Sequence, residues 1–528
     1  MFALPKVENK RMIAVHGWSG IVLGLILYVV ILTGMLAVFA EEIGDWSSGK
    51  VDHSSALSNP VDSIVTDLAA QTSDEYKDEV GLSTTSAGNL SVFFHGHFTE
   101  DGGSITERGV RYEVDGEGEI VKQIEGSPQE VFGEDATRAL EDLFVDLHIR
   151  LHIPSPWGEI VTGILGLAMM VAAVTGILIH RHLFRDIFTI RRKTNEIVAE
   201  RDRHSVAGTW SLPFTFILAF TGSFFSFTIA FGLPAMAMVA FQGDQEAMIE
   251  AVVGAPPEAS DTKATGANLD SILQASREVA GSEPLFMNII HYGSDVAQVN
   301  VGHAVEDGDF FRRTFGFDGA TGEFTGEKPL VGSEPSAGAN LVGIIGALHF
   351  GNFAGILSRA IWFGLGFASC YVTLTGIRMW LRRRREEQTQ LRWLEKLTTT
   401  IAWGTPLSIA VGGVAFFLTL PLGLTVEWTM YGFLIGAGVI LAFVPLLTEQ
   451  RLADVLRAAL ALCLIGLPAL RLAFGGPGWP DAFAAGDAML IAIDIAVVVS
   501  ALVIAYPLYG SRRFSIPHNK AVVAGPAE

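Results

Sequence analysis

The sequence has few cysteines and few charged residues. Only two of its 528 residues are cysteine, Cys370 and Cys463, and both lie in apolar runs without a C-x-x-C spacing. This excludes a disulfide framework and a structural zinc site. Charged residues make up 17% of the chain and hydrophobic residues 50%, which excludes a disordered protein and disfavours an ordinary soluble one. The net charge of −20 and the lack of a basic patch argue against a nucleic-acid partner.

Several cofactor motifs are also missing. No G-x-G-x-x-G follows a predicted strand, and the sequence contains no P-loop, so we predict no nucleotide-binding domain. The C-x-x-C-H signature is absent as well, so any haem would be bound non-covalently. A zinc site would require several closely spaced His, Cys or carboxylate ligands, which the sequence does not offer.

Long apolar runs dominate what is present. A hydrocarbon core of about 30 Å requires roughly 20 apolar residues in a helix. The first run is too long for a signal peptide and no A-x-A site follows it, so we interpret it as an uncleaved anchor. We predict a mainly α membrane protein with about eight transmembrane helices, at 17–40, 158–180, 209–235, 353–381, 400–424, 428–447, 452–474 and 485–509.

The basic residues of the short loops predict the topology. With eight crossings they all fall on one side, which the positive-inside rule makes cytoplasmic. Both termini are then cytoplasmic in a bacterial inner membrane, and segments 41–147 and 242–346 are periplasmic. These segments are acidic, with 24 acidic and 6 basic residues in the first and 16 and 5 in the second. The basic loop residues are Lys6, Lys10, Arg11, Arg181, Arg185, Arg191, Arg192, Lys193, Arg382, Arg383, Arg384, Arg385, Arg451, Arg512 and Arg513.

The chain repeats a pattern of histidine, glycine and threonine. The first and third apolar runs open with His-x3-Gly, and a Thr-Gly pair follows each histidine after 17 residues. The second and fourth runs share a Leu-His pair that precedes a Thr-Gly pair by 27 and 26 residues. Small residues in membrane helices also aid close packing, but packing does not explain histidines at matching offsets. The matched residues are His16, Gly20, Thr33, Gly34, His204, Gly208, Thr221, Gly222, Leu147, His148, Thr175, Gly176, Leu348, His349, Thr375 and Gly376.

The duplication predicts the domain organisation. We predict two repeats, 12–194 and 200–385, each made of a helix, a small periplasmic α+β domain (about 41–147 and 242–346) and a second helix. Asp-Gly turns between strand-like runs predict β-hairpins in both domains. A four-helix membrane extension at 398–510 and a cytoplasmic tail at 511–528 complete the chain.

These motifs, together with His180-Arg-His182, Trp210 and Pro213, resemble those of the PepSY-associated transmembrane-helix proteins, often called iron-regulated membrane proteins. The resemblance covers roughly residues 10–385 and leaves the helices from about 400 onward uncovered. It implies PepSY-like external domains, which in other settings bind or inhibit peptidases. Some members of the family are inner-membrane ferric-siderophore reductases that carry b-type haem between these helices.

Seven of the 13 histidines cluster at the ends of four predicted helices, in two layers. Polar groups at membrane depth are costly without a partner. Haem fits this arrangement because its iron takes axial imidazoles and an apolar helix bundle accommodates the macrocycle. A pseudo-two-fold axis between the repeats predicts that His16 faces His204 and that His148 faces His349, which suggests two bis-histidine haems. The seven are His16, His180, His182 and His204 in the cytoplasmic layer and His148, His152 and His349 in the periplasmic layer.

Three histidines are rivals to this pairing. His152 lies one helical turn from His148 and is expected to share its face, although nearby prolines disfavour a continuous helix. His180 has no mate in the second repeat, where Trp380 takes the matching place, but its position keeps it a candidate ligand. His182 is better interpreted as a contact with lipid headgroups than as a ligand.

Two further features have open interpretations. His95 and His97 lie on one face of a predicted strand, where they contact either a ferric complex or metal ion, or only solvent. Asp494 lies within an apolar helix and Arg471 near the end of the preceding one. This acid either belongs to a proton path or quinol site or forms a structural pair with Arg471.

The sequence favours a haem-containing inner-membrane oxidoreductase that passes electrons across the bilayer and reduces ferric iron, such as a ferric siderophore, at the periplasmic face. The substrate rests on the resemblance alone. Without a nicotinamide or flavin domain, the donor is quinol or a separate cytoplasmic reductase. The alternatives are a membrane-tethered PepSY module that binds or regulates without redox activity, and a transporter. The acidic segments would repel an anionic chelate unless basic residues offset them locally, and the candidates are Arg108, Arg111, Arg312 and Arg313.

Overall fold

A computed structural model describes residues 5–50, 55–58, 60–99, 105–180, 187–191, 196–304, 312–332 and 334–513. The chain divides into two compact units, Met1–Gln390 and Leu391–Glu528. Among the described residues, eight helices are long and apolar enough to cross a membrane, which confirms the predicted multi-pass architecture. They are Lys6–Ala37, Trp157–Ile179, Ile197–Ala240, Gly355–Glu386, Arg392–Leu422, Thr425–Phe443, Glu449–Gly475 and Ala488–Leu508.

The first unit combines membrane helices with short helices and a sheet. Its α-helices are, in chain order, α1 (Lys6–Ala37), α2 (Ala40–Ser48), α3 (Asp62–Gln71), α4 (Pro128–Phe132), α5 (Ala139–Arg150), α6 (Trp157–Ile179), α7 (Glu196–Phe227), α8 (Leu233–Ala240), α9 (Gln245–Val253), α10 (Leu269–Ala280), α11 (Ala337–Phe350) and α12 (Gly355–Glu386). Its strands are β1 (Glu79–Thr84), β2 (Leu90–Thr99), β3 (Ile105–Val114), β4 (Ile120–Gly126), β5 (Pro284–Ile290), β6 (Gln298–His303), β7 (Thr314–Asp318) and β8 (Phe324–Lys328).

Four of these helices form a ring in the membrane part. Both α1 and α7 pack against α6 and against α12. A π-helical turn at Thr228–Gly232 joins α7 to α8, so that this span is the longest of the eight. The short helices α5 and α11 lead into α6 and α12, and they pack on α1 and α7 respectively. We call the helix ends that connect to the strands the sheet-side ends and the opposite ends the far ends.

The two segments between the membrane helices of each repeat share one sheet. Both contain the predicted helices and hairpins, but their strands form a single antiparallel sheet in the order β4-β3-β2-β1-β5-β6-β7-β8. The seam is the β1–β5 ladder, with Glu79 opposite Ile290 at one end and Ser83 opposite Phe286 at the other. An unpaired strand edge exposes backbone N–H and C=O groups. Pairing β1 with β5 therefore satisfies the strand edge that each half would otherwise expose, and the sequence does not reveal this junction between the two predicted α+β domains.

One core lies beneath both halves of the sheet. Strand side chains alternate between faces, and one face packs on α3 and α10. The two helices also cap each other, since the Val61 N–H donates to Asp270 Oδ1 (2.7 Å) and the Leu269 N–H donates to Asp62 Oδ1 (2.8 Å). The buried side chains of this core include Val65, Leu68, Val80, Leu82, Val92, Phe94, Ile272, Leu273, Met287, Ile289, Val299, Val301, Phe315 and Phe317.

The second unit contains the four C-terminal spans that the sequence predicts. Its helices are α13 (Arg392–Thr419), α14 (Thr425–Phe443), α15 (Glu449–Leu470), α16 (Trp479–Ala484) and α17 (Ala488–Arg513). Helix α13 packs on α14 and α15, and α15 packs on α17. Buried apolar side chains hold the unit together, including Leu407, Ala410, Ile440, Leu452, Leu456 and Leu460.

Candidate functional site

Two histidines from different repeats meet in the far half of the helix ring. His16 lies on α1 and His204 on α7, at equivalent places in the two repeats. The centroids of their rings are 6.2 Å apart and the ring planes are inclined at 76°. Sequence symmetry therefore predicts this juxtaposition from residues 188 positions apart in the chain.

A second pair of histidines meets at the sheet-side end. His148 lies in the last turn of α5 and His349 in the last turn of α11. Their ring centroids are 6.1 Å apart, with the planes inclined at 28°. Both side chains therefore come from the short helices before α6 and α12, and not from the membrane-spanning helices themselves.

Each of the four rings has a hydrogen-bond partner for Nδ1 on a neighbouring helix. Nδ1 lies 2.9 Å from the Ala172 carbonyl oxygen for His16, 3.0 Å from that of Val372 for His204 and 2.8 Å from that of Val30 for His148. A carbonyl oxygen only accepts, so Nδ1 must carry the proton in these three rings. Nε2 of the neutral imidazole then keeps its lone pair, which is the form that binds a metal.

His349 reaches the same state through a hydroxyl group. Its Nδ1 lies 2.9 Å from Thr221 Oγ1. The Thr221 hydroxyl donates its own proton to the Ile217 carbonyl oxygen at 2.8 Å, so its oxygen is left to accept from His349. In the far pair, Thr175 and Thr375 stand beside His16 and His204 in the same way, at 3.2 and 3.3 Å.

The glycine of each Thr-Gly pair makes room for one imidazole ring. A Cβ on Gly34 would overlap the His148 ring, and Cβ atoms on the other three glycines would lie 3.1 to 3.5 Å from a histidine Cε1. Within each repeat, the first helix therefore holds the sheet-side histidine and the second helix holds the far histidine. The sequence shows that the Thr-Gly pairs recur at a fixed distance from the histidines, but it does not show that they contact the imidazole rings. The contacts are Gly34 with His148, Gly176 with His16, Gly222 with His349 and Gly376 with His204.

The two histidine pairs lie near opposite ends of the ring. On α1, His16 is 17 residues before Thr33, which precedes the glycine that contacts His148. At 1.5 Å of rise per residue this is roughly 25 Å along the helix axis, close to the thickness of a hydrocarbon core. The arrangement is therefore two separate sites in one bundle and not one extended cluster.

A comparison with known protein families identifies the family of this chain. Residues 13–383 match the family described as the PepSY-associated TM region. The chain belongs to the PepSY-associated transmembrane family. The Uncharacterized protein PA4219 of Pseudomonas aeruginosa is 25% identical over 287 residues, which are 51% of this chain and 71% of that protein. The family match includes both histidine pairs of this PepSY-associated protein and ends before its second unit.

The ring spacing suits one metal ion held between two imidazoles. Imidazole nitrogens bind metals at about 2.0–2.1 Å, so two rings on opposite sides of one ion have centroids roughly 6 Å apart. Glycine also leaves space beside the far pair, because a Cβ on Gly20, one turn after His16, would meet no atom within 4 Å. Each histidine pair of this PepSY-associated protein therefore has the imidazole donors and the spacing that would hold a haem iron, which would supply one-electron redox chemistry.

The rival histidines have other surroundings. His152 does not share the helix face of His148, because α5 ends at Arg150 and both Leu151 and His152 have positive φ, as the nearby prolines led us to expect. His152 instead donates a hydrogen bond from Nε2 to the Leu143 carbonyl oxygen at 3.0 Å, since a carbonyl oxygen can only accept. His180 ends α6, and its buried Nδ1 has no hydrogen-bond partner in the described part of the chain. His182 lies outside the described residues.

The intramembrane acid of the second unit belongs to a closed network. Both carboxylate oxygens of Asp494 accept from the Arg471 guanidinium, at 3.2 and 2.8 Å. The Trp479 indole N–H also donates to Asp494 at 2.8 Å, and Arg471 donates to the Pro477 carbonyl oxygen at 2.8 Å. A buried pair with these further hydrogen bonds favours the structural interpretation over the proton path or quinol site.

Proposed function

We propose that this protein is a haem-containing oxidoreductase of the bacterial inner membrane. It would bind two non-covalent b-type haems, one between His16 and His204 and one between His148 and His349. It would pass electrons across the bilayer and reduce ferric iron, in a siderophore or another chelate, on the side of the sheet. The observation that carries the proposal is the presence of two imidazole pairs, at centroid distances of 6.2 and 6.1 Å, near opposite ends of one helix ring.

The chain supplies position and protonation state. A bound haem supplies one-electron redox chemistry. The backbone carbonyls of Ala172, Val372 and Val30 and the Thr221 hydroxyl fix the Nδ1 proton and orient each ring, so that Nε2 is available for iron. The apolar helices around the rings keep water away, which tunes a redox potential through the local dielectric.

The chemistry at the ferric substrate is a single electron transfer. Iron in the chelate goes from Fe³⁺ to Fe²⁺, and the weaker attraction of Fe²⁺ for hard oxygen ligands favours release. The electron comes from membrane quinol or from a cytoplasmic reductase, the two donor classes compatible with this chain. Arg111 pairs with Glu113 at 2.7 Å and Arg313 with Glu327 at 3.0 Å, so these two arginines are already neutralised by acids. A neutral or cationic ferric chelate suits the acidic segments better than an anionic one.

The orientation is part of the same proposal. We place the sheet in the periplasm and both termini in the cytoplasm. The basic residues at the far ends of the helices support this orientation. Protease treatment of spheroplasts tests it, since fragments cut between α3 and α11 are expected, whereas cleavage only in inverted vesicles would contradict the orientation.

Absorption spectra of the purified full-length protein test haem binding. We expect a Soret band, and split α and β bands after reduction with dithionite, from about two haems per chain. His204→Ala and His349→Ala should each remove one haem, because each deletes one ligand of one pair. Colourless protein from haem-replete cells would overturn the proposal and would favour a PepSY binding module.

His152→Ala is the matched control for the sheet-side pair. It removes an imidazole only four residues from His148, but one whose Nε2 bonds to the Leu143 carbonyl. We expect both haems to remain in this variant. Loss of a haem in His152→Ala together with full retention in His349→Ala would show that the pairing is wrong.

A further inference from the structure

A second group of possible metal ligands lies at one end of the seam between the two halves of the sheet. Glu79 is the first residue of β1, Asp78 directly precedes it, and His97 lies on the neighbouring strand β2. One donor atom from each of the three side chains lies within 4.8 Å of the other two. This group belongs to the external sheet and shares no residue with the two histidine pairs in the membrane part.

The sheet register brings these residues together. Glu79 is opposite His95 in the β1–β2 ladder, and His97, two residues further, projects from the same face. Gly96 between the two histidines is required for packing, because a Cβ there would overlap the Glu75 carbonyl oxygen. The His-Gly-His sequence thus places two imidazoles on one face of β2, and the glycine between them leaves room for the backbone at Glu75.

A hydrogen bond from His291 orients Asp78, and the imidazole of His95 lies near Glu79. His291 Nδ1 lies 2.8 Å from Asp78 Oδ1, and its Nε2 lies 2.9 Å from the Pro257 carbonyl oxygen. On the other side, His95 Nε2 lies 3.9 Å from Glu79 Oε2, and its Nδ1 lies 2.9 Å from a carboxylate oxygen of Glu107. His95 is only 8% exposed, so Glu79 has a buried imidazole at its back. Partners of this kind hold metal-binding carboxylates and histidines in orientation.

We propose that Asp78, Glu79 and His97 bind one divalent first-row transition-metal cation, with water completing its coordination. Two carboxylates and one imidazole form the oxygen and nitrogen donor set that such cations accept. The site would tie the halves of the sheet together, because His291 and the Tyr292 N–H, which donates to the Asp78 carbonyl oxygen at 2.9 Å, belong to the second half. The site does not depend on haem binding.

Zinc is the probe for a first test. The full-length protein in detergent is titrated with Zn²⁺ against a chromophoric chelator, and its melting temperature is recorded with and without Zn²⁺. A ligand that binds only the folded state raises the melting temperature by mass action. We expect one Zn²⁺ per chain, and at least a tenfold loss of affinity in His97→Gln and in Glu79→Gln.

Two controls and one variant of a positioning residue make the result decisive. Glu117→Gln removes an exposed carboxylate from a turn of the same half and should leave Zn²⁺ affinity unchanged. His16→Ala should also leave it unchanged, since the membrane histidines would otherwise be the binding site. His291→Gln should weaken binding through Asp78 by about 10- to 100-fold without removing a ligand.

The proposal would be overturned if Zn²⁺ affinity were equal in the unaltered protein, His97→Gln and Glu79→Gln. It would equally be overturned if binding disappeared only in His16→Ala. Melting curves without Zn²⁺ identify a variant that has lost its fold, and Asp78→Asn then serves as the replacement. Absorption spectra of the same samples report haem separately, so failure of the metal site and failure of the haem proposal are distinguishable.

Discussion

The polar contact that accepts the Nδ1 proton differs among the four paired histidines. For His349 that contact is the Thr221 hydroxyl, whereas the other three rings use a backbone carbonyl that no substitution removes. A ligand ring without its Nδ1 partner can rotate and change tautomer. His349 is therefore the ring whose support a single side-chain change can delete.

Thr221→Val should weaken the sheet-side haem site selectively. The valine keeps the shape of threonine but removes the acceptor for His349 Nδ1, and loss of such a partner costs about 10- to 100-fold in affinity. The measurement is the ratio of haem to protein after dialysis, with each haem assigned by its reduced spectrum. Thr209→Val on the same helix is the control, because the Thr209 hydroxyl bonds only to the Ser205 carbonyl among the contacts described. An equal loss in both variants would contradict the role of Thr221.

The ion pair between His291 and Asp78 predicts a pH-dependent stability. Burial lowers the pKa of His291, but hydrogen bonds to Asp78 and to the Pro257 carbonyl outweigh it and raise the pKa above 6.5. A raised folded-state pKa means that this contribution is complete below about pH 6.5 and is lost as the pH rises through the folded value. When the pH is lowered from 8 to 6, the melting temperature of the metal-free protein should therefore rise by more than that of metal-free His291→Gln. Parallel curves for the two proteins would refute this.

At the scale of helices and strands, the local sequence predicts the membrane spans well and the pairing of distant strands poorly. Apolar runs of sufficient length identify a membrane helix wherever they occur, which is why all eight spans were predictable. Nothing local to Glu79–Thr84 reveals that its second neighbour is a strand two hundred residues away. The sequence likewise left the surroundings of His152 open, since the positive φ of Leu151 and His152 depends on how the chain turns into α6.

The histidine pairs were predictable because the sequence is duplicated. The offset of 17 residues between histidine and threonine recurs in both repeats, and symmetry then brings equivalent residues together. The partners of Nδ1 were not predictable, since a backbone carbonyl such as Val30 leaves no trace in the side-chain pattern. The role of the Thr-Gly pairs was likewise not predictable, because it depends on how one helix packs against the next.

The reciprocal caps of α3 and α10 should stabilise the joined sheet. Asp62→Ala leaves the Leu269 N–H without its acceptor, and Asp270→Ala does the same for the Val61 N–H. Loss of a helix-capping carboxylate costs about 0.5–2 kcal/mol, so each variant should melt at a lower temperature. Asp67→Ala, on the exposed side of α3, is the control and should leave the melting temperature unchanged. An unaltered melting temperature in both capping variants would show that the caps contribute nothing.

For the whole molecule, charge is distributed unevenly between the external segments and the rest of the chain. The segments 41–147 and 242–346 carry 40 acidic and 11 basic residues in total. Such an excess creates a long-range field that repels anions and attracts cations. The substrate's own charge should therefore govern how fast it reaches the sheet side.

Ionic strength should change the rates for anionic and cationic ferric chelates in opposite directions. Raising the salt from about 0.01 M to 0.1 M shortens the Debye length from about 30 Å to 10 Å. Stopped-flow mixing of reduced protein with ferric citrate should become faster, and mixing with a positively charged ferric hydroxamate should become slower. If both rates changed in the same direction, electrostatic steering by the external segments would be excluded.

The β1–β5 seam has an evolutionary consequence. The two histidine pairs join equivalent residues of the two repeats, the aspartate caps are exchanged reciprocally between equivalent helices, and the ladder pairs β1 with β5. Such self-complementary contacts are those of an isologous dimer interface. A gene that encoded one repeat would already have specified the complete bundle through two identical subunits. Fusion of two copies of such a gene would make the association permanent and allow the two halves to diverge.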